Sequence, residues 1–349
     1  MKLLIFVTGR GIGGDAVTAY NIAKSFEEKG IEIKIILDPS AQGYYFKKRN
    51  IEWLKSPIPA AGGHASSKST LLKAGLKAIK AIISGANLIK KEKADGVVGV
   101  IGGGAVIGCA AAKLARVPAV GVVATPTDTK VSLKLNPTLL LPESSLFTKE
   151  HIESKYEVKK QYSPIKTDVI LGDKNNILNK LPSQYDPNKK SVLFSSGSTL
   201  FDDMAKAVRK YAEENDNVNI FLIGAPLKEE LEPIIDHPNI INLGYINYID
   251  DLYDLIDLAV ITDDGLTLHE TIACEIPVVV VIGVKYGRYH GLSKVFDGAV
   301  LESNVENISE KVNTALENEE MRIATTKYSQ DIINGTEDLT NFVVKHISK

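Results

Sequence analysis

Asp263, Asp264, Gly265, Leu266, Thr267 and Glu270 follow the apolar run Leu258–Ile261, and residue types in that order can hold an anion beside a vicinal diol. The run has the length of a buried parallel strand. Asp263, Asp264 and Gly265 break it, and Leu266, Thr267 and Glu270 begin a helix that Ile276-Pro277 stops. A helix N-terminus beyond the carboxyl end of a parallel strand presents unpaired N–H groups to a phosphate. Glu270, one turn in, can accept both hydroxyls of a ribose. A carboxylate there also complements the helix dipole with no ligand present, so this corner alone leaves both readings open.

Three further glycine- or hydroxyl-rich turns follow apolar runs. Gly9-Arg-Gly-Ile-Gly-Gly14 has the spacing G-x-G-x-x-G, and Asp38 closes the next strand as a ribose-binding acid would. That spacing is a loose signal, because any close strand–helix turn beside a phosphate needs glycine for the same steric reason. Gly102-Gly-Gly-Ala-Val-Ile-Gly108 and Ser196-Gly-Ser-Thr199 are the other two turns. A second sheet with its own Ser196–Thr199 turn and the Asp264-to-Glu270 corner argues against a nicotinamide dehydrogenase. Asp15, the first carboxylate after the first glycine turn, either caps its helix or acts as a general base on a hydroxyl. His290 lies in a polar loop with Lys285, Tyr286 and Arg288, after the strand Val278–Ile282. None of the six histidines has metal-ligand spacing, and no metal site is expected.

The elements that must carry these residues alternate. Strands Leu3–Thr8, Ile33–Leu37, Gly96–Ile101 and Ala119–Val123 are separated by helical stretches, which predicts a parallel sheet covered on both faces. The polar segment 173–190 suits a linker. A second series follows, with strands Ser191–Ser195, Val218–Ile223, Ile240–Leu243, Leu258–Ile261 and Val278–Ile282. The fold class is therefore α/β, with two tandem doubly wound Rossmann-like domains and a ligand expected in the cleft between them. A chain of 349 residues with 44% hydrophobic content can bury two such cores. The net charge of -2 gives no footprint for nucleic acid. Cys109 and Cys274 read as small core residues of a reducing compartment. The first strand is too short for a signal sequence and no later run reaches a membrane span, so a cytoplasmic location is expected.

One stretch departs from the overall charge balance. Between Ser66 and Lys93 stand seven lysines and the single acid Glu92, and Lys73, Lys77 and Lys80 recur at helical spacing. Leu72, Leu76, Ile79 and Ile83 line an adjoining face. An ordinary surface helix with its apolar side in the core has this pattern. So does a helix that lies on an anionic bilayer, where each lysine near the surface contributes about 1 kcal/mol.

Together these residues resemble the GT-B glycosyltransferases of the MurG type, which add N-acetylglucosamine to a lipid-pyrophosphate-linked sugar in peptidoglycan synthesis. The resemblance covers nearly the whole chain. Gly11-Ile-Gly-Gly-Asp15 stands at the family's first glycine-rich loop, Gly103-Gly-Ala-Val-Ile-Gly108 at its second, and Ser196-Gly-Ser-Thr199 at its third. Ser163-Pro-Ile-Lys-Thr-Asp168 stands at the inter-domain Asn-Pro-Val-Arg-Thr-Asp stretch, and Tyr245 through Glu270 can be laid on the nucleotide-binding region without a gap. The resemblance implies that backbone at Ile246 meets the uracil edge and Glu270 the ribose. Gly265, Leu266 and Thr267, with Ser196, Gly197, Ser198 and Thr199, would face the diphosphate. Gly11, Gly13, Gly14, Gly103, Gly104 and Lys166 would form the acceptor and phosphate loops. The family's donor-sugar Gln-Gln pair falls on Tyr289-His290, its loop histidine on Asp15, and its His-Glu-Gln-Asn stretch on Val123-Ala-Thr-Pro126 with Asp128 nearby. The positions that touch sugar and acceptor therefore depart from the family more than those that touch nucleotide.

The resemblance implies four segments: 1–163, an acceptor and membrane-side domain; 164–190, the crossing and linker; 191–330, the nucleotide-sugar domain; and 331–349, a last helix able to pack back on the first domain. It implies an inverting transfer of an N-acetylhexosamine from a UDP-sugar to a lipid-pyrophosphate-linked acceptor in cell-envelope synthesis. No cofactor or obligatory metal would be required. Asp15 would be the candidate base and His290 a second catalytic candidate. Lys73, Lys77 and Lys80 would hold the chain peripherally on the anionic inner face of the membrane. A UDP-sugar hydrolase or epimerase on the same scaffold, or a catalytically silent binding subunit, are the rival readings.

Overall fold

Strand β1 (Lys2–Val7) shows why the first sheet is covered on both faces. Leu3, Ile5 and Val7 point into one core with Ala19, Ile22 and Phe26, while Leu4 and Phe6 join Ala86, Ile89, Ala111 and Ala112 in another. Side chains alternate across a strand, so a continuous apolar run needs helices on both sides. In the computed structural model, residues 1–8, 13–59, 68–285 and 289–348 are described; for residues 68–74 and 167 only the backbone is.

The chain divides into two compact units, Met1–Pro164 with Asn334–Lys349, and Ile165–Ile333. In the first, β2 (Glu32–Leu37), β3 (Trp53–Lys55), β4 (Gly96–Val100), β5 (Ala119–Val123), β6 (Thr138–Leu140) and β7 (Val158–Lys160) join β1 in the all-parallel order β3-β2-β1-β4-β5-β6-β7. Helices α1 (Gly14–Glu28), α2 (Tyr44–Lys47), α3 (Lys68–Lys91), α4 (Gly102–Ala115) and α5 (Pro126–Leu135) connect them. In the second, β8 (Lys190–Leu200), β9 (Val218–Pro226), β10 (Ile240–Gly244), β11 (Leu258–Thr262), β12 (Val278–Val281) and β13 (Val300–Ser303) form the parallel order β10-β9-β8-β11-β12-β13. Its helices are α6 (Asp202–Glu214), α7 (Glu232–Ile235), α8 (Ile249–Tyr253), α9 (Leu266–Ala273) and α10 (Ile308–Leu316), with the start of α11 (Glu319–Ile347). Leu339, Phe342, Val343 and Ile347 of α11 complete the core of the first unit.

Each sheet reverses its order beside its first strand, and the loops at the carboxyl ends there are where an open α/β sheet takes a ligand. The expected strand Ser191–Ser195 is longer: β8 runs on to Leu200, with its register broken between Ser195 and Thr199. Ser196 to Thr199 is therefore a bulge within a strand. Of the segment 164–190, expected as crossing and linker, all but Pro164 belongs to the second unit. Asp251 accepts hydrogen bonds from the Asp173 N–H at 2.9 Å and Asn176 Nδ2 at 3.1 Å, and Asp254 accepts from the Lys174 N–H. Cys109 and Cys274 are free thiols that burial raises to about 12.

The glycines of α4 are packing residues. A Cβ on Gly104 would lie 2.6 Å from the Phe6 carbonyl oxygen and the Thr8 nitrogen, so the helix start touches the β1 backbone. Gly104→Ala should lower stability by about 1–3 kcal/mol. Gly75→Ala, on an exposed turn of α3 with no atom within 4 Å of the new carbon, should raise it by up to about 1 kcal/mol. Urea unfolding of both variants checks this, and a neutral Gly104→Ala contradicts the close approach.

Candidate functional site

The first unit sets two carboxylates at neighbouring corners in opposite circumstances. Pro126 begins α5, and Asp128 in its first turn is fully buried. Its carboxylate accepts from the Gly102 N–H at 2.6 Å and the Thr125 N–H at 2.8 Å, tying the start of α4 to that of α5. Asp128 is thus a structural anchor whose oxygens already have donors. Asp15 lies one residue inside α1, partly buried, with no described hydrogen-bond donor. The N-cap of α1 is Gly13, so Asp15 is not the cap that its position after the glycine turn suggested. Burial and the negative charge of Asp128 raise the Asp15 carboxyl to about 6. An acid so placed is ionised near neutral pH and takes a proton more readily than an ordinary aspartate.

Several sequence candidates have other roles in this unit. Gly103 donates its N–H to Thr8 Oγ1 at 2.9 Å and Gly104 abuts β1, so both are buried packing residues in place of an open phosphate loop. Asp38 accepts from the Ser40 N–H and hydroxyl on Oδ1 and from the Ile58 N–H on Oδ2, so it holds the turn after β2 together. Gly13 and Gly14 are exposed at the start of α1. Gly11 lies outside the described residues.

The second unit gathers a pocket. Ser195, Gly197, Ser198, Ile223, Gly224, Tyr245, Ile246, Ile249, Tyr253, Thr267 and Glu270 line it. Five of these, Gly197, Ser198, Ile246, Thr267 and Glu270, are residues the sequence nominated. The β8 bulge forms one wall. Ser196 Oγ donates to the Thr199 carbonyl at 2.8 Å and accepts from the Phe201 N–H at 3.1 Å, so Ser196 closes the bulge from inside while Ser198 is exposed. Gly224 has a φ of 115°, and a Cβ on it would come 2.9 Å from the Gly197 carbonyl oxygen, so glycine is needed where β9 passes the bulge. The opposite wall is the start of α9, whose N-cap is Gly265; no side chain caps it, and Leu266 and Thr267 follow as its first residues.

Glu270 stands one turn into α9. It has no described hydrogen-bond donor, and burial, with the repulsion of Asp250, raises its carboxyl to about 7 against the opposing pull of Lys166. Lys166 itself is paired with Asp168 at 2.8 Å and Asp250 at 3.1 Å. It is therefore a partner of the second unit's acids. Tyr289 and His290 are not among the residues that line the pocket. The Tyr289 hydroxyl donates to Glu302 Oε1 at 2.9 Å. The His290 N–H donates to Asp263 Oδ2 at 2.8 Å, and Asp263 also accepts from the Gly291 and Leu292 N–H groups at 3.1 Å. Among the described residues, no cluster of His, Cys, Asp or Glu is arranged to hold a metal ion.

The missed pocket residues had weak signals. Ile249 and Tyr253 come from the short helix α8, and Tyr245 precedes it without a periodic pattern. Gly224, directly after the apolar run Ile220–Ile223, was the readable one.

Residues 5–121 match the glycosyltransferase family 28 N-terminal domain, and residues 184–331 match glycosyl transferases group 1. Among solved structures, MurG of Acinetobacter baumannii superposes with a TM-score of 0.67 at 16% identity, covering 99% of this chain and 98% of that one. Arabidopsis thaliana UGT89C1, solved with UDP-L-rhamnose, gives 0.64 at 10% identity, covering 98% of each chain. The UDP-GlcNAc 2-epimerase of Methanocaldococcus jannaschii gives 0.61 at 16% identity, covering 98% of this chain and all of that one. No curated protein matches the chain significantly. The fold is GT-B.

Glu270 gives a signed pH dependence. Its folded-state value of about 7 exceeds its ordinary 4.5, so its contribution to stability is full below about 4.5 and is lost as pH rises through 7. Glu270→Gln, which mimics the protonated form, should melt like wild type at pH 4 and above it at pH 8. Thermal melts across that range decide it, and a difference that does not change with pH contradicts the raised carboxyl.

Proposed function

We propose that this GT-B glycosyltransferase moves an N-acetylhexosamine from a UDP-sugar to a lipid-pyrophosphate-linked acceptor, with inversion at the anomeric carbon. The observation that carries the nucleotide half is the convergence of Glu270, Thr267, Ile246 and Ser198 on one pocket. A ribose brings two hydroxyl donors to Glu270, which has none among the described residues, and a diphosphate brings negative charge to the uncapped start of α9. The Ile246 backbone meets the base. Helix end and hydroxyls hold the diphosphate without an obligatory metal. The UDP-L-rhamnose of UGT89C1 and the UDP-GlcNAc of the epimerase support a UDP-sugar as donor.

In the reaction, Asp15 takes the proton of the acceptor hydroxyl. The acceptor oxygen forms its bond to the anomeric carbon as the bond from that carbon to the β-phosphate oxygen breaks, and the electron pair leaves with UDP. Asp15→Asn should keep the fold and reduce turnover about 10²–10⁴-fold. The assay is radiolabelled UDP-N-acetylglucosamine with membrane lipid, in excess chelator. Labelled lipid supports the transferase. Free sugar or an isomerised nucleotide sugar would overturn it in favour of a hydrolase or the epimerase reading, and binding without turnover in favour of a silent subunit.

The lipid half rests on α3. Leu76 and Ile79 are 56% exposed and Ile83 49%, beside exposed Lys77 and Lys80, so this apolar face is not buried in the core. The side chain of Lys73 lies outside the described residues. Among the described residues no helix is long and apolar enough to cross a membrane. Attachment is therefore proposed as peripheral, at the inner face of the cell membrane, through lysines on lipid headgroups and Leu76, Ile79 and Ile83 at the interface. Cosedimentation with anionic vesicles should be lost in a Lys77→Glu, Lys80→Glu variant and weakened by salt in wild type. Equal sedimentation of variant and wild type would return α3 to an ordinary surface helix.

A further inference from the structure

Lys285 lies four residues past the end of β12, and its ammonium meets Asp264 Oδ1 at 3.0 Å. The same oxygen accepts from the Thr262 hydroxyl at 2.7 Å, so Asp264 is held in place without the lysine. Asp264 directly precedes Gly265, the N-cap of α9, which puts a cation beside the helix end that carries Thr267 and Glu270. On the other side, a Cβ on Gly197 would come 3.8 Å from Lys285 Nζ. Gly197 and Ser198 line the pocket with Glu270. The ammonium thus stands between the β8 bulge and the start of α9, the two walls that a diphosphate extending from a ribose on Glu270 must pass. Both partners of the ion pair are about three-quarters buried, with side chains 25% and 26% exposed, so solvent screens them less than a surface pair.

We propose that Lys285 is the diphosphate cation of this site, held on Asp264 while the site is empty and transferred to the ligand when a nucleoside diphosphate binds. The inference rests on the nucleotide reading above and adds to it the residue that meets the leaving-group charge. A diphosphate carries more charge than the carboxylate it displaces, and the helix end already favours an anion there. When the anomeric carbon–oxygen bond breaks, its electron pair stays on the β-phosphate oxygen. The ammonium offsets that charge and keeps its own proton, a task that other enzymes give to a divalent ion.

Calorimetry of the full chain with UDP and with uridine tests it. Lys285→Met should weaken UDP about 10- to 100-fold, the effect of losing a charged hydrogen bond, and leave uridine unchanged. Asp264→Asn should leave uridine unchanged and tighten UDP, because the competing carboxylate is gone. Unchanged UDP affinity in Lys285→Met, or a parallel loss of UDP and uridine, overturns the role of Lys285. Weaker UDP in Asp264→Asn overturns the transfer from Asp264. A wild type that binds neither UDP nor uridine overturns the nucleotide reading itself, and is distinguishable from both.

Discussion

A carboxylate removed from water must find donors in the protein or shift toward its neutral form, and this constraint sorts the acids of both units. Asp128 and Asp263 are buried and accept backbone N–H groups, Asp128 from Gly102 and Thr125, Asp263 from His290, Gly291 and Leu292. They fix the corners at the carboxyl ends of the strands. Asp15 and Glu270 lie beside those corners with no described donor, and burial raises both toward neutrality. In each unit an acid with backbone donors thus stands beside one with no described donor, and burial raises the carboxyl of Asp263 as well despite its three donors. Incomplete, shifted acids are what a binding or catalytic site needs, because a ligand supplies the missing donor or proton.

The same constraint separates residues that look alike in sequence. The three glycine- or serine-rich turns have one steric vocabulary but different tasks. At α4 the glycines let a helix touch β1, with Gly103 bonded to Thr8 and Gly104 against Phe6. At β8 the bulge presents Ser198 to the pocket while Ser196 is used internally. Glycine content alone therefore does not mark a phosphate loop. The local fate of each N–H and each α-carbon does.

The parallel strands and the Glu270 corner were legible because buried parallel strands leave continuous apolar runs, and Leu258–Thr262 and Val278–Val281 are such runs. Trp53–Lys55, Thr138–Leu140 and Val158–Lys160 are three residues each, too short for a period to register. The continuation of β8 through Ser196–Thr199 was hidden because glycine and serine signal a turn whether or not pairing resumes beyond it. Lys166 was placed by its motif in the acceptor and phosphate loops; its pairing with Asp250, 84 residues away, is one that no local pattern displays. The apolar stripe of α3 was visible in sequence, but its exposure was not, since periodicity shows that a helix has an apolar side and not what covers it.

The proposed nucleotide site is the pocket of the second unit, with Glu270 as the acid completed by a ribose. A crystal structure of the protein soaked with UDP tests this most directly. The account predicts both ribose hydroxyls within hydrogen-bond distance of the Glu270 carboxylate and the diphosphate at the start of α9. UDP bound with its ribose away from Glu270, or an empty pocket with UDP held elsewhere, would contradict it.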